Sequence, residues 1–91
     1  MIDNVKFKEY TKEILKIMMQ QNNGDLYLTD THIKSLPDNL TVGGTLYLRG
    51  TPIESLPDNL TVGGNLDLSY THIKSLPDNL TVGETIDLSY T

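Results

Sequence analysis

IKSLPDNLTVG, at Ile33–Gly43, returns letter for letter at Ile73–Gly83, and IESLPDNLTVG stands between them at Ile53–Gly63. A 91-residue chain that spends this much of itself on one phrase is built from a repeated unit. The period is 20 residues: the copies run 25–44, 45–64 and 65–84, and residues 85–91 begin a fourth. Ahead of the phrase each copy carries Leu-x-Leu (Leu26/Leu28, Leu46/Leu48, Leu66/Leu68), repeated as Ile86/Leu88 in the last. That alternation predicts a short strand with one buried face. An isoleucine follows (Ile33, Ile53, Ile73), then Leu-Pro-Asp-Asn-Leu-Thr-Val-Gly. The proline argues against a long helix or a second central strand there. Glycines at 43–44, 63–64 and 83 let the backbone turn into the next strand. One copy cannot bury its apolar edge alone, whereas stacked copies bury Leu on Leu, Ile on Ile and Val on Val. The predicted architecture is an α/β solenoid with a parallel β-sheet on its concave face. A parallel β-helix is the alternative.

Residues 1–24 read as an N-terminal capping helix, and residues 25–91 as the repeats. Phe7, Tyr10, Ile14, Ile17 and Met18 share one helical stripe, predicting a helix over 4–21. Asp3 or Asn4 can cap its start, and Asn22-Asn23-Gly24 supplies residues that tolerate a left-handed stop. Ile14, Ile17 and Met18 are expected to cover the first coil at Leu26, Leu28 and Ile33.

The pattern L-x-L-x-x-T-x-I-x-S-L-P-D-N-L resembles a leucine-rich repeat of the short bacterial type, as in secreted bacterial effectors. The phrase LPDNLTVGG-x-L-x-L is also similar to runs in proteins of phage and prophage origin. The resemblance covers residues 25–91 and speaks to fold more than activity. It implies a phage- or effector-type inhibitor of a host or defence protein. One departure stands out. The family usually places Asn where Thr31, Thr51, Thr71 and Thr91 stand, so its buried asparagine ladder becomes a threonine ladder with fewer donors.

Composition narrows the function classes. There is no cysteine, which excludes disulfides and thiolate metal sites and argues for a cytoplasmic setting. The opening MIDNVKFKEY holds no apolar run of signal-peptide length, and no later run is long enough to span a bilayer. The Asn-Leu-Thr triplets at Asn39, Asn59 and Asn79 match the glycosylation pattern but read as turn chemistry. Net charge is +1 over residues 1–24 and −6 over residues 25–91. A surface of that sign repels phosphate backbones, so direct nucleic-acid binding is not expected, and without a spanning run neither is a membrane partner.

Thirteen of the twenty repeat positions are identical in all three full copies. The first, third and fifth positions vary, and on a strand they point away from the Leu-x-Leu core. Free drift of an unpacked face gives the same variability, so content must decide. Across the sheet the face reads Asp25-Thr45-Asn65-Thr85, then Tyr27-Tyr47-Asp67-Asp87, then Thr29-Arg49-Ser69-Ser89, with Tyr70 and Tyr90 just beyond. Tyrosine and arginine are enriched at recognition hot spots. Tyr27, Tyr47, Arg49, Asp67, Asp87, Tyr70 and Tyr90 are therefore the candidate partner-binding residues.

Catalytic and metal constellations are weaker. Asp67 and Asp87 sit about one strand spacing apart, near the separation of retaining glycosidase carboxylates, but the repeat imposes that adjacency. His32 and His72 stand two coils apart, about 10 Å, too far for one zinc. The Gly-Gly pairs are turn residues, not a phosphate loop. The expected protein is a non-catalytic protein-binding module with no cofactor and no metal. An acidic decoy mimicking nucleic acid, or a purely structural module, are the rival readings. Salt separates the first: decoy binding collapses at high ionic strength, a tyrosine-centred interface does not. The last strand carries Ile86, Leu88 and Ser89 at an edge without lysine or proline, which predicts homodimerisation through that edge.

Overall fold

The computed structural model describes residues 11–91, in which one helix is followed by repeated parallel strands in two sheets. The arrangement is compatible with a small α/β repeat solenoid. Helix α1 spans Lys12–Gln21. Thr11 caps it: its backbone is extended (φ −74°, ψ 166°) and its Oγ1 accepts from the Ile14 amide at 3.3 Å. The described helix thus begins at Lys12 rather than running on through Thr11, and residues 4–10 of the predicted helix lie outside the described residues. The predicted caps Asp3 and Asn4, and the stripe members Phe7 and Tyr10, lie outside the described residues. The stop is as predicted, with Asn23 (φ 57°) and Gly24 (φ 92°) left-handed and the Gly24 amide donating to Met19 O at 2.8 Å.

The buried stripe is also corrected. Leu15 is the fully buried residue of α1, with Met18 and Met19 packed against the core beside it. Ile17 is 54% exposed. It follows Leu15 by two positions, about 200° around the axis, so both cannot face the core.

Each repeat contributes two strands. The first set is β1 (Leu26–Tyr27), β3 (Leu46–Tyr47), β5 (Leu66–Asp67) and β7 (Ile86–Asp87), a four-stranded parallel sheet in the order β1-β3-β5-β7. The second set is β2 (Thr41–Val42), β4 (Thr61–Val62) and β6 (Thr81–Val82), a three-stranded parallel sheet. This second sheet corrects the expectation drawn from the proline. Pro37, Pro57 and Pro77 stay in the turn, and pairing resumes only at the β-branched Thr-Val step, where amides are free to donate. Thr61 N donates to Leu40 O at 3.0 Å and Gly63 N to Val42 O at 2.8 Å.

Register equals one repeat everywhere: Leu26, Leu46, Leu66 and Ile86 align, as do Val42, Val62 and Val82. The core is these columns, with Leu28, Leu48, Leu68, Leu60 and Ile53 fully buried. The helix end joins the stack directly. Gly24 O accepts from Gly44 N, Gly44 O from Gly64 N, and Gly64 O from Glu84 N, at 3.0, 2.9 and 3.1 Å.

The threonines do not form a ladder between coils. Thr31, Thr51, Thr71 and Thr91 each donate Oγ1–H to the carbonyl three residues earlier, at 2.8, 2.8, 2.6 and 2.9 Å. A hydroxyl is short and reaches its own turn, where an amide would span to a neighbour. The asparagine ladder exists, but on the exposed turn: Asn59 Nδ2 donates to Asn39 Oδ1 and Asn79 Nδ2 to Asn59 Oδ1, both at 2.8 Å. Thr51 is buried, so Thr51→Val, which keeps shape and drops the donor, should lower unfolding free energy by about 1 kcal/mol in urea melts. The same change at the exposed Thr91 should leave the melt unmoved. Equal effects at the two sites would contradict the buried capping role.

Candidate functional site

The outward face of the four-stranded sheet brings the predicted side chains together. Tyr27 and Tyr47 are register partners, their rings stacked with centroids 4.6 Å apart and planes 6° from parallel. Tyr70 and Tyr90 form a second stack at 4.6 Å and 13°. Tyr27, Tyr70 and Tyr90 are 48%, 47% and 75% exposed. The rings pack on one another rather than into the core, and they leave aromatic area exposed to solvent.

Arg49 ties the surface together. Its guanidinium carbon lies 4.5 Å from the Tyr70 ring centroid, and its Nη1 donates to Ser69 Oγ at 3.4 Å. Ser69 donates both its amide and its hydroxyl to Asp67 Oδ1, at 3.0 and 2.6 Å. Ser69 is consequently 1% exposed, not the open contact residue its strand parity predicts. Asp67 and Asp87 are register partners on β5 and β7. Hydrogen bonds from Ser89, with a smaller contribution from Arg49, hold the Asp87 carboxyl below the usual carboxylate range. A proton-donating acid needs the opposite shift. Partial desolvation by its neighbours, with the Asp25 carboxylate beside it, pushes the Tyr27 phenol above its ordinary value. Its hydroxyl donates to Asp25 Oδ2 at 3.4 Å.

Two features of this face are not apparent from strand parity. The first-position residues are rungs as well as surface. Asp25 Oδ1 accepts from Thr45 N, Thr45 Oγ1 from Asn65 N and Asn65 Oδ1 from Thr85 N, at 2.8, 3.2 and 3.1 Å. The signal was present: every first-position residue carries a side-chain oxygen. The second is backbone conformation. The sixth repeat position is left-handed in every copy, at Asp30 (φ 60°), Gly50 (φ 74°), Tyr70 (φ 58°) and Tyr90 (φ 59°). Asp and Gly suit that region, whereas tyrosine is strained there by about 1–2 kcal/mol. Tyr70→Gly should therefore melt above Tyr70→Ala by about 1 kcal/mol, because only glycine relieves the strain after the ring is gone. The usual order in regular structure is the reverse. An alanine variant as stable as the glycine one would remove the strain.

The remaining candidates are dispersed. His32 and His72 are exposed and lie two repeats apart. Among the described residues no group of three or more His, Cys, Asp or Glu could hold a metal ion. On the last strand Ile86 is half-buried, and just beyond it Leu88 is 42% exposed. Ser89 lies in the turn after that strand, where its amide is taken by Asp87 Oδ1 at 2.9 Å. An open groove between α1 and the first turn is lined by Lys12, Glu13, Lys16, Met19, Asn39, Leu40 and Thr41. No helix of the described residues is long and apolar enough to cross a membrane. Comparison with protein-family models, with curated proteins and with solved structures gave no match.

Proposed function

We propose that this chain is a leucine-rich-repeat solenoid that performs no catalysis and docks on one protein partner through the outward, concave face of its four-stranded sheet. The observation that supports it is the two tyrosine stacks, with Arg49 laid on the Tyr70 ring of the second. Two of the rings, Tyr70 and Tyr90, are held at left-handed positions where glycine or aspartate would fit without strain. Strain kept where a neutral residue would serve is a marker of function. Tyr27, Tyr47, Arg49, Asp67, Asp87, Tyr70 and Tyr90 make the contact, and the helix α1 serves as the cap. The similarity of the repeat phrase to phage and prophage sequences points to a host or defence protein as the partner.

The face is small, so a few residues must carry most of the affinity. Tyr47→Ala should weaken partner binding by about 2 kcal/mol, roughly thirtyfold, in calorimetry against the partner isolated from the native host. Its melting temperature should stay near that of the parent. Asp58→Ala, on the exposed turn away from this sheet, should bind as the parent does. A turn variant that loses more affinity than Tyr47→Ala would place the interface elsewhere. Binding that collapses with salt and ignores both tyrosine stacks would favour the acidic decoy.

A further inference from the structure

Resting on the docking reading above, we infer that the partner presents an arginine-bearing segment whose guanidinium lies on an outward tyrosine ring beside Asp67 or Asp87. The chain carries its own example of that contact. Arg49, from the second repeat, lays its guanidinium on Tyr70 of the third and bonds Ser69, which is itself bonded to Asp67. The residues that receive it, Asp67–Thr71, read DLSYT, and the same five letters recur at Asp87–Thr91. Among the described residues no second arginine exists to meet that second copy. The sheet is thus a surface on which arginine seating is demonstrated once and repeated without its cation.

Charge complementarity favours the same occupant. The outward positions carry Asp25, Asp30, Asp67 and Asp87 against the single cation Arg49. Of the other charged columns, Lys34, Glu54 and Lys74 alternate in sign, with Lys74 Nζ 3.7 Å from Glu54 Oε1, whereas Asp38, Asp58 and Asp78 are acidic throughout but stand in the Leu-Pro-Asp-Asn turn, which holds no tyrosine. Asp67 opposite Asp87 is the reverse case: two carboxylates stand on neighbouring strands with Arg49 as the one cation of the face near them, which leaves charge for a second. Asp87, held ionised by Ser89, keeps that negative charge available. The stacked rings add the second half of the recognition, since an aromatic face attracts a cation. Arginine fits better than lysine because a planar guanidinium stacks on a ring while its fork bonds a carboxylate.

Amide chemical shifts of the 91-residue chain test this, titrated with a short oligo-arginine peptide, an oligo-lysine of equal length, an oligo-glutamate and a neutral tyrosine-rich peptide. The arginine peptide should move Tyr47, Asp67, Ser69, Tyr70 and Asp87, and bind about tenfold more tightly than the lysine peptide. Asp87→Asn, at an exposed position, should cut that affinity about tenfold without altering the melt. Equal arginine and lysine binding, with shifts centred on the turn residues Asp38, Asp58 and Asp78, would overturn the inference as plain charge attraction. Shifts on the tyrosine face from the neutral peptide alone would overturn it while leaving the docking reading intact. No shift on the face from any peptide would also overturn it, and the docking reading is then judged by cross-linking to the native partner.

Discussion

Gly63→Ala is expected to cost the fold about 3 kcal/mol, a large share of what a domain of this size possesses. A methyl built at Gly63 meets the carbonyl oxygen of Gly43 well inside contact distance. The obstacle is backbone, so no side chain can swing away. Gly63 N also donates to Val42 O at 2.8 Å, and that ladder fixes the spacing between repeats. Relief therefore requires prising two coils apart and losing pairing on both sheets. Gly83 stands in the same relation to Gly63. Gly43 carries the same letter in the same repeat position, yet no atom of the described residues lies within 4 Å of a methyl added there. Gly43→Ala should thus stay within about 0.5 kcal/mol of the parent in urea melts. Identical melts for the two variants would mean that the coils do not stack as described.

Leu15→Ala should cost about 3 kcal/mol, and Ile17→Ala no more than about 0.5 kcal/mol. Leu15 is fully buried against the first coil, and truncating it leaves a cavity between helix and repeats that neither can easily close. Ile17 is half-exposed and loses little by truncation. The described helix, Lys12–Gln21, is too short to persist on its own in water, and among the described residues Leu15, with Met18 and Met19, holds it to the repeats. Helical content by circular dichroism should fall along with stability in Leu15→Ala. The opposite ranking of the two variants would restore the stripe through Ile17 and reject the packing described.

The repeat made much of the architecture legible. Identical letters at identical spacing force one register, so the Leu26-Leu46-Leu66-Ile86 column and the stacking of Tyr27 on Tyr47 follow from the period alone. What escaped depends on geometry within one coil. Thr-Val is too short to show alternation, so its strand emerges only when a neighbouring coil offers Leu40 and Val42 carbonyls. The helix stripe misled because Leu15 lies among several apolar residues, and periodicity alone could not choose between faces. Likewise the contact of Arg49 with Tyr70 joins two different repeat positions across two coils, which no single column reveals. The left-handed sixth position was hidden because Asp30 and Gly50 advertise it while Tyr70 and Tyr90 do not.

The claim that the tyrosine face is the docking surface is tested most directly by site-specific photo-cross-linking in the native host. A photoreactive phenylalanine analogue placed singly at Tyr27, Tyr47 and Tyr70 samples the outward face, where an aromatic replacement is mild. The same residue at Asp38, Asp58 and Asp78 samples the exposed turn. The account predicts one adduct of common mass from the tyrosine positions and none of that mass from the turn. An adduct formed from the turn positions, with the tyrosine positions silent, would contradict it.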